Sequence, residues 1–336
     1  MTLRLKVDGV ASAAVIEAAA ILRGGGTVAI PTETVYGLGA NALDAAAVAK
    51  IFVAKERPSW DPLIVHVADE AMLREVVAEV SEPARRLMEA YWPGPLTLLL
   101  PRSAAIPDAV TAGRPLVGVR MPAHPVARAL IRAAGVPVAA PSANRFGHTS
   151  PTTAEHVLED LDGRIDAVVD GGAAEYGLES TVLDPNCVPV TIYRPGAVTL
   201  EQVRALAGDA VYFRETAAPT EEPREALPSP GVGLRHYAPR ARLVLFYPPE
   251  GPPDLDASAV GLMRAERVPG AAEGTGYAAV YPWGRWSHPE ELAQRLFAGL
   301  RYLDGMGCEA ILCPVPEGGG IAEAIRDRLR KAAWRA

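Results

Sequence analysis

Residues 27–67, TVAIPTETVYGLGANALDAAAVAKIFVAKERPSWDPLIVHV, decide the fold. Thr27 to Ile30 is a short, mostly apolar run ended by Pro31 and reads as a buried strand. Asp44 is a good N-cap, and Val48, Ile51 and Phe52 recur on one side, so 44–55 reads as a helix. Leu63 to Val67 then reads as a second strand. Strand, helix and strand in that order predict an α/β sheet, and the alternation continues on both sides. Upstream, Val15, Ile16, Ala19 and Leu22 place a helix over 11–23, stopped by Gly24 to Gly26. Downstream, helices near 70–79 and 82–91 precede strands at 96–100 and 117–120, and a helix over 125–134 leads to a strand at 138–140. Thr152-Thr153-Ala154-Glu155 has capping-box spacing and opens a helix to about Leu161. Strands near 165–169, 180–184 and 190–193 follow, then a helix from Thr199 to Gly208.

Residues 1–210 thus form one domain of ordinary size. Residues 211–240 hold five prolines between Pro219 and Pro239, a Glu-rich middle and little apolar periodicity, so they read as a linker. The pattern resumes at Arg242 with strands at 242–247, 259–263, 277–281 and 310–313 and helices at 289–304 and 320–333. Residues 241–336 are therefore expected to be a second, smaller α/β domain.

Composition removes several classes. With 336 residues, 49% hydrophobic and 22% charged, the chain is neither disordered nor collagen-like. Cys187, Cys308 and Cys313 have no metal-ligand spacing and cannot all pair, which points to a reducing compartment, with cytoplasm as the expectation. Asp8 and Glu17 interrupt the only signal-like stretch at the N-terminus. Residues 90–101 and 133–144, the longest charge-free stretches, are too short and proline-broken to cross a bilayer, so no membrane role is expected. A net charge of −7 argues against nucleic-acid binding by the whole surface, though not by a local basic groove.

P-loop, HExxH, GxSxG and paired CxxC signatures are missing from the sequence. Gly37-Leu38-Gly39-Ala40-Asn41-Ala42 fits a dinucleotide fingerprint, but Pro31 to Tyr36 separate it from the strand end, so it is read as a decoy. Those intervening residues carry more interest. Thr32, Glu33, Thr34 and Tyr36 follow a strand end, where α/β sheets hold ligands. Lys55 and Arg57 flank a helix end: an ammonium beside a guanidinium suits a polyphosphate, and either could equally complement the helix dipole. His66 lies near the same rim, as ligand group or as core histidine. Ser142 and Asn144 follow the strand at 138–140 and can read ligand oxygens and a base edge, or cap a turn. Ser150, Ser180, Arg120 and Arg194 add hydroxyls and cations at further element ends. Together these clusters point to one anion-rich ligand with a small polar appendage.

PTETVYGLGANA (31–42), KERPSWDPLIVHV (55–67), PSANRFGHTSPTTA (141–154), GLESTVLD (177–184) and YRPGA (193–197) resemble the threonylcarbamoyl-AMP synthase family with its YrdC-like domain. The resemblance covers about residues 10–208, and SPGVGLRHYAP (229–239) before an α/β domain is similar to the long two-domain form. It implies an open twisted sheet with a large concave cleft, joined by a linker to a smaller Rossmann-like α/β domain. It also implies a nucleotidyltransferase that condenses L-threonine, bicarbonate and ATP, with Mg²⁺, to L-threonylcarbamoyladenylate and pyrophosphate. The product would feed N6-threonylcarbamoyladenosine formation on tRNA through a separate transferase machinery.

Carried over residue by residue, Thr34, His66, Arg120, the Ala140 backbone and Ser180 would surround threonine, with Arg120 on its carboxylate. Lys55 and Arg57 would be the catalytic cations on the phosphates, and Ser142, Asn144, Ser150 and Arg194 would contact the nucleotide. Asp61 stands where relatives are expected to carry Asn, and a carboxylate there would repel phosphates unless it helps hold Mg²⁺. Residues 229–237 would close over the cleft, bringing His236 and Tyr237 to the nucleotide and keeping water from a hydrolysable carbamate and adenylate. Lys55 and Arg57 are expected to be exposed rim charges of little weight in stability. The alternative is a double-stranded RNA-binding or regulatory protein that uses the same basic cleft of Arg57, Arg120 and Arg194.

Overall fold

The computed structural model describes residues 1–214, Leu227, Ser229, 236–269 and 276–334. Most of the expected linker, including 230–235 of the expected lid, lies outside the described residues. The chain begins β1 (Leu3–Lys6), α1 (Ala13–Arg23), β2 (Val28–Ile30), β3 (Gly37–Asn41), α2 (Ala45–Lys55), β4 (Ile64–His66), α3 (Glu70–Val76) and α4 (Glu82–Tyr91). It continues β5 (Leu96–Pro101), α5 (Asp108–Thr111), β6 (Leu116–Arg120), α6 (Pro125–Ala134), β7 (Val138–Ala139), α7 (Ala154–Leu161) and β8 (Ala167–Asp170). Then come β9 (Thr181–Asp184), β10 (Val190–Arg194), α8 (Leu200–Ala207) and β11 (Ala210–Tyr212). These strands form one 11-stranded mixed sheet in the order β1-β8-β2-β3-β7-β4-β6-β5-β9-β10-β11. A second sheet, of β12 (Arg242–Phe246), β13 (Val260–Glu266), β14 (Ala279–Arg285) and β15 (Ala310–Pro314), is parallel throughout, in the order β12-β15-β13-β14. Helices α9 (Pro289–Gly305) and α10 (Ile321–Ala333) complete it.

The strand β3 departs from the sequence reading. Glycine weakens a strand, so local propensity hides it. It nevertheless pairs antiparallel with both β2 and β7. A Cβ at Gly39 would lie 2.8 Å from Val138 Cγ1, so this glycine permits close packing of two strands and serves no phosphate loop. The short strands β1 and β11 were likewise unforeseen; each lies at an edge of the large sheet.

Period-two alternation divides that sheet into a packed face and a working face. Val65, Leu98, Leu100, Val117, Val119 and Leu183 belong to the main core. Their neighbours Ile64, Leu99 and Val182 form a separate small cluster on the opposite side. His66, Thr97 and Arg120 share that parity. On β4 and β6, His66 and Arg120 are register partners. Because β7 runs antiparallel to β4, Ala140 lies alongside Ile64, and its amide donates to the Ile64 carbonyl. The cavity therefore runs along a sheet face instead of beyond a row of carboxyl ends, as a parallel sheet would have placed it.

Candidate functional site

The site begins at the end of α2. Asp44 caps that helix by accepting from Ala46 N and Ala47 N, and Glu56 ends it in the left-handed region at φ 55°. Arg145 and Arg164 both pair with the Glu56 carboxylate outside. The turn thereby sends Lys55 and Arg57 inward, and they are only 1% and 8% exposed. The expectation of exposed rim charges is wrong for both, because the helix end is covered by residues 142–146 and by His236.

Ten of the expected residues line one cavity: Thr34, Arg57, His66, Arg120, Ala140, Ser142, Ser180, Arg194, His236 and Tyr237. Lys55, Asp61, Asn144 and Ser150 are not among its lining residues; they sit one layer behind it. Lys55 Nζ donates to the carbonyls of Ser142, at 2.6 Å, and Asn144, holding the loop that carries Pro141 and Ser142. Burial, and next Arg57, push its ammonium well below the ordinary lysine range. Asn144 Nδ2 donates to the Arg145 and His148 carbonyls, so it shapes the same loop. Ser150 Oγ donates to Glu179. Asp61 is fully buried and pairs with Arg57 at 2.9 Å, with His236 Nε2 3.5 Å away. Its carboxylate therefore offsets Arg57 from behind and does not face incoming phosphates.

At one end of the cavity Arg120 is held on three sides. Its Nη1 donates to Thr34 Oγ1 at 2.8 Å, its Nε donates to the Gly94 carbonyl at 3.1 Å, and its Nη2 lies 2.6 Å from Glu33 Oε1. Burial alone would raise the Glu33 carboxyl, but Arg120 and the Ala123 amide outweigh it and keep the group ionised. His66 is pushed down to about 3, by burial first and then by Arg120, so its ring is neutral. Its Nδ1 has no partner within the described protein. Ser180 Oγ is 2.8 Å from Thr97 Oγ1 and accepts from Arg194 Nη2 at 3.1 Å.

At the other end Arg57 donates to the Asp61 and Pro62 carbonyls and lies 5.9 Å from the Phe146 ring centroid. His236 packs edge-on against Phe146 at 5.1 Å, and Tyr237 stacks on Phe297 of α9 at 5.6 Å. Gly196 lets the turn after β10 press on the turn before β9: a Cβ there would be 2.4 Å from Thr181 N. Sequence reasoning left out Glu179, which lines the cavity, and Arg328, which is fully buried behind it. Nothing in the local pattern DRLRK marks Arg328 off from an exposed helical arginine.

The free volume is about 50 Å³, well under the roughly 300 Å³ at which small-molecule sites begin. A large ligand must extend beyond the cavity or displace part of its wall, to which His236 and Tyr237 belong. A roomier groove of about 330 Å³ between α3 and α4 is rimmed by Glu70, Arg74, Arg85 and Glu89, with balanced charge and no convergence of buried polar groups. The RNA-binding alternative is unsupported: Arg57, Arg120 and Arg194 are 8%, 3% and 5% exposed and already bonded, whereas tracking a phosphate backbone needs accessible cations. Among the described residues no helix is long and apolar enough to cross a membrane.

The Sua5, YciO and YrdC family model, described as "Telomere recombination", matches residues 20–196, and "Threonylcarbamoyl-AMP synthase, C-terminal domain" matches residues 198–334. Threonylcarbamoyl-AMP synthase of Pyrococcus abyssi is 41% identical over 326 residues, covering 94% of this chain and 93% of its own length. The Bacillus subtilis protein of the same name is 43% identical over 333 residues, covering 95% and 92%. The crystal structure of P. abyssi Sua5 complexed with L-threonine superposes with a TM-score of 0.88 at 38% identity, covering 99% of this chain and 97% of that one. With both family models matched and two relatives above 40% identity over nearly the whole chain, the chain belongs to the threonylcarbamoyl-AMP synthase family.

Proposed function

We propose that this cavity condenses L-threonine, bicarbonate and ATP to L-threonylcarbamoyladenylate, releasing pyrophosphate. The observation that carries the reading is the pairing, in one cavity, of an amino-acid end built from Thr34, His66, Arg120 and Ser180 with an anion end built from Arg57 and Arg194. A relative of the same fold has been crystallised with L-threonine, which supports the first assignment. Arg120, fixed by Glu33, Thr34 and Gly94, would take the threonine carboxylate. Neutral His66 would offer its free Nδ1 to a donor proton of the amino acid.

The threonine amine, after losing a proton, attacks the bicarbonate carbon and water leaves, giving a carbamate. A carbamate oxygen then attacks the α-phosphorus, the bond from that phosphorus to the β-bridging oxygen breaks, and pyrophosphate departs. No side chain forms a covalent bond, so positioning and charge neutralisation dominate. Arg57 and Arg194 would balance the phosphate charge, while Lys55 would act by setting the loop that carries Ser142.

Mg²⁺ would enter on the triphosphate. Among the described residues no three His, Cys, Asp or Glu side chains cluster to hold a metal, and Glu33, Asp61 and Glu179 are each paired with an arginine. The described residues thus offer no carboxylate cage of their own for the ion. A cytoplasmic setting, and hand-over of the product to a separate tRNA-modifying transferase, follow from the same reading. The test is mass spectrometry of products from ¹³C-bicarbonate, L-threonine and ATP. A labelled threonylcarbamoyl-AMP that needs all three substrates is expected; pyrophosphate release without threonine would overturn the reading.

A further inference from the structure

We propose that Arg328, on α10 of the C-terminal unit, is a positioning residue for the nucleotide end of the cavity. The inference rests on the synthase reading above. Arg328 is fully buried, and its guanidinium meets three of the chain segments that wall this end. Its Nε donates to Glu179 Oε2 at 2.7 Å, its Nη2 donates to the Pro195 carbonyl at 3.0 Å, and its Cζ lies 5.1 Å from the Tyr237 ring centroid. Glu179 and Tyr237 line the cavity, and Pro195 follows the cavity-lining Arg194. One side chain from the second unit therefore touches the turn before β9, the turn after β10 and the end of the linker.

The electrostatic reason is specific. Glu179 is a buried carboxylate on the wall of a site meant for a polyphosphate, and an uncompensated charge there would repel the ligand. Burial would raise its carboxyl, but Arg328, then Arg194, then the Ser150 hydroxyl together hold it below the ordinary range, so it stays ionised. With Arg328 as the direct partner of Glu179 from behind, Arg194 donates to the Ser180 carbonyl and Oγ, at 3.1 Å each, and also bonds the Tyr237 side chain. Remove Arg328, and Glu179 has Arg194 as the nearest remaining cation of this group. Arg194 would then be drawn onto the carboxylate and away from phosphate. The C-terminal unit thus sets the charge of a site that belongs to the first.

The experiment compares wild type, Arg328→Gln, Arg328→Lys and the double variant Glu179→Gln/Arg328→Gln, measuring KM for ATP, KM for threonine, kcat and thermal unfolding. Arg328→Gln is expected to raise KM for ATP about tenfold or more, as for loss of one buried charged hydrogen bond. KM for threonine should move far less. Arg328→Lys, which keeps the charge and carries the test should the Gln variant not fold, should stay within about threefold of wild type. The double variant should regain most of the lost ATP affinity, because no carboxylate remains to capture Arg194. A folded Arg328→Gln protein with unchanged KM for ATP, or a double variant no better than the single one, would assign Arg328 to interface stability alone. If wild type makes no threonylcarbamoyl-AMP, the synthase reading fails instead, and the two failures are distinct.

Discussion

Replacing Glu33 with glutamine tests whether Arg120 is the threonine-carboxylate site. Both partners of the pair are nearly inaccessible, with side chains 4% and 3% exposed, and their charges meet at 2.6 Å. Removing one member of a buried pair costs about 3–5 kcal/mol, since the other charge stays buried. Glutamine keeps the shape, and its single amide oxygen can still accept from Arg120 while its NH2 replaces the oxygen that accepts from the His124 amide, so the loss should sit near the lower bound, about 3 kcal/mol. For a unit of this size each kcal/mol lowers Tm by roughly 2–4 °C, which predicts a fall of about 6–12 °C without ligand. A threonine carboxylate on Arg120 would resupply the missing negative charge. Threonine should therefore stabilise Glu33→Gln more than wild type, and its Kd should fall by up to about a hundredfold, the equivalent of 3 kcal/mol. Differential scanning fluorimetry across a threonine titration, with calorimetric Kd values, reads both effects. A threonine-induced shift in the variant no larger than in wild type would refute the placement of the carboxylate at Arg120.

Three further outcomes follow from the same geometry. The folded-state pKa of His66, about 3, lies below its ordinary 6.5, so the unfolded chain binds the extra proton between those values and stability is lost as pH falls through that window. His66→Gln should flatten the stability slope between pH 6.5 and 5 by roughly 1.1 kcal/mol per pH unit, read by urea unfolding; an unchanged slope would mean that the folded ring takes up its proton as the unfolded chain does. Lys55→Met removes two bonds to the Ser142 and Asn144 carbonyls but also relieves a buried ammonium, so net stability should change by less than about 2 kcal/mol. Its kcat should nevertheless drop by about a hundredfold or more as the loop loosens; parallel, modest losses in both would make Lys55 merely structural. Deleting residues 229–336 should leave a folded first unit with sharply reduced synthesis, measured as pyrophosphate release, and full turnover would count against cover by His236 and Tyr237.

By itself the sequence determined the α/β class, the positions of most helices and strands and the identities of most cavity residues. These are local properties: α2 is legible in its Asp44 cap and apolar spacing, and the polar run after Ile30 announces itself at a strand end. Only the tertiary structure decided which of those residues face the cavity. Whether Lys55 points at a ligand or at two carbonyls depends on the loop at 142–144, 87 and 89 residues away. The strand β3 contradicts its own glycines because β7, far along the chain, needs its backbone close. Arg328 looks like any helical surface arginine until α10 packs it against Glu179, 149 residues earlier. Hydrogen-bonding propensity and periodicity are written within a few residues, whereas the neutralisation of a buried charge depends on partners that only chain folding brings within 3 Å.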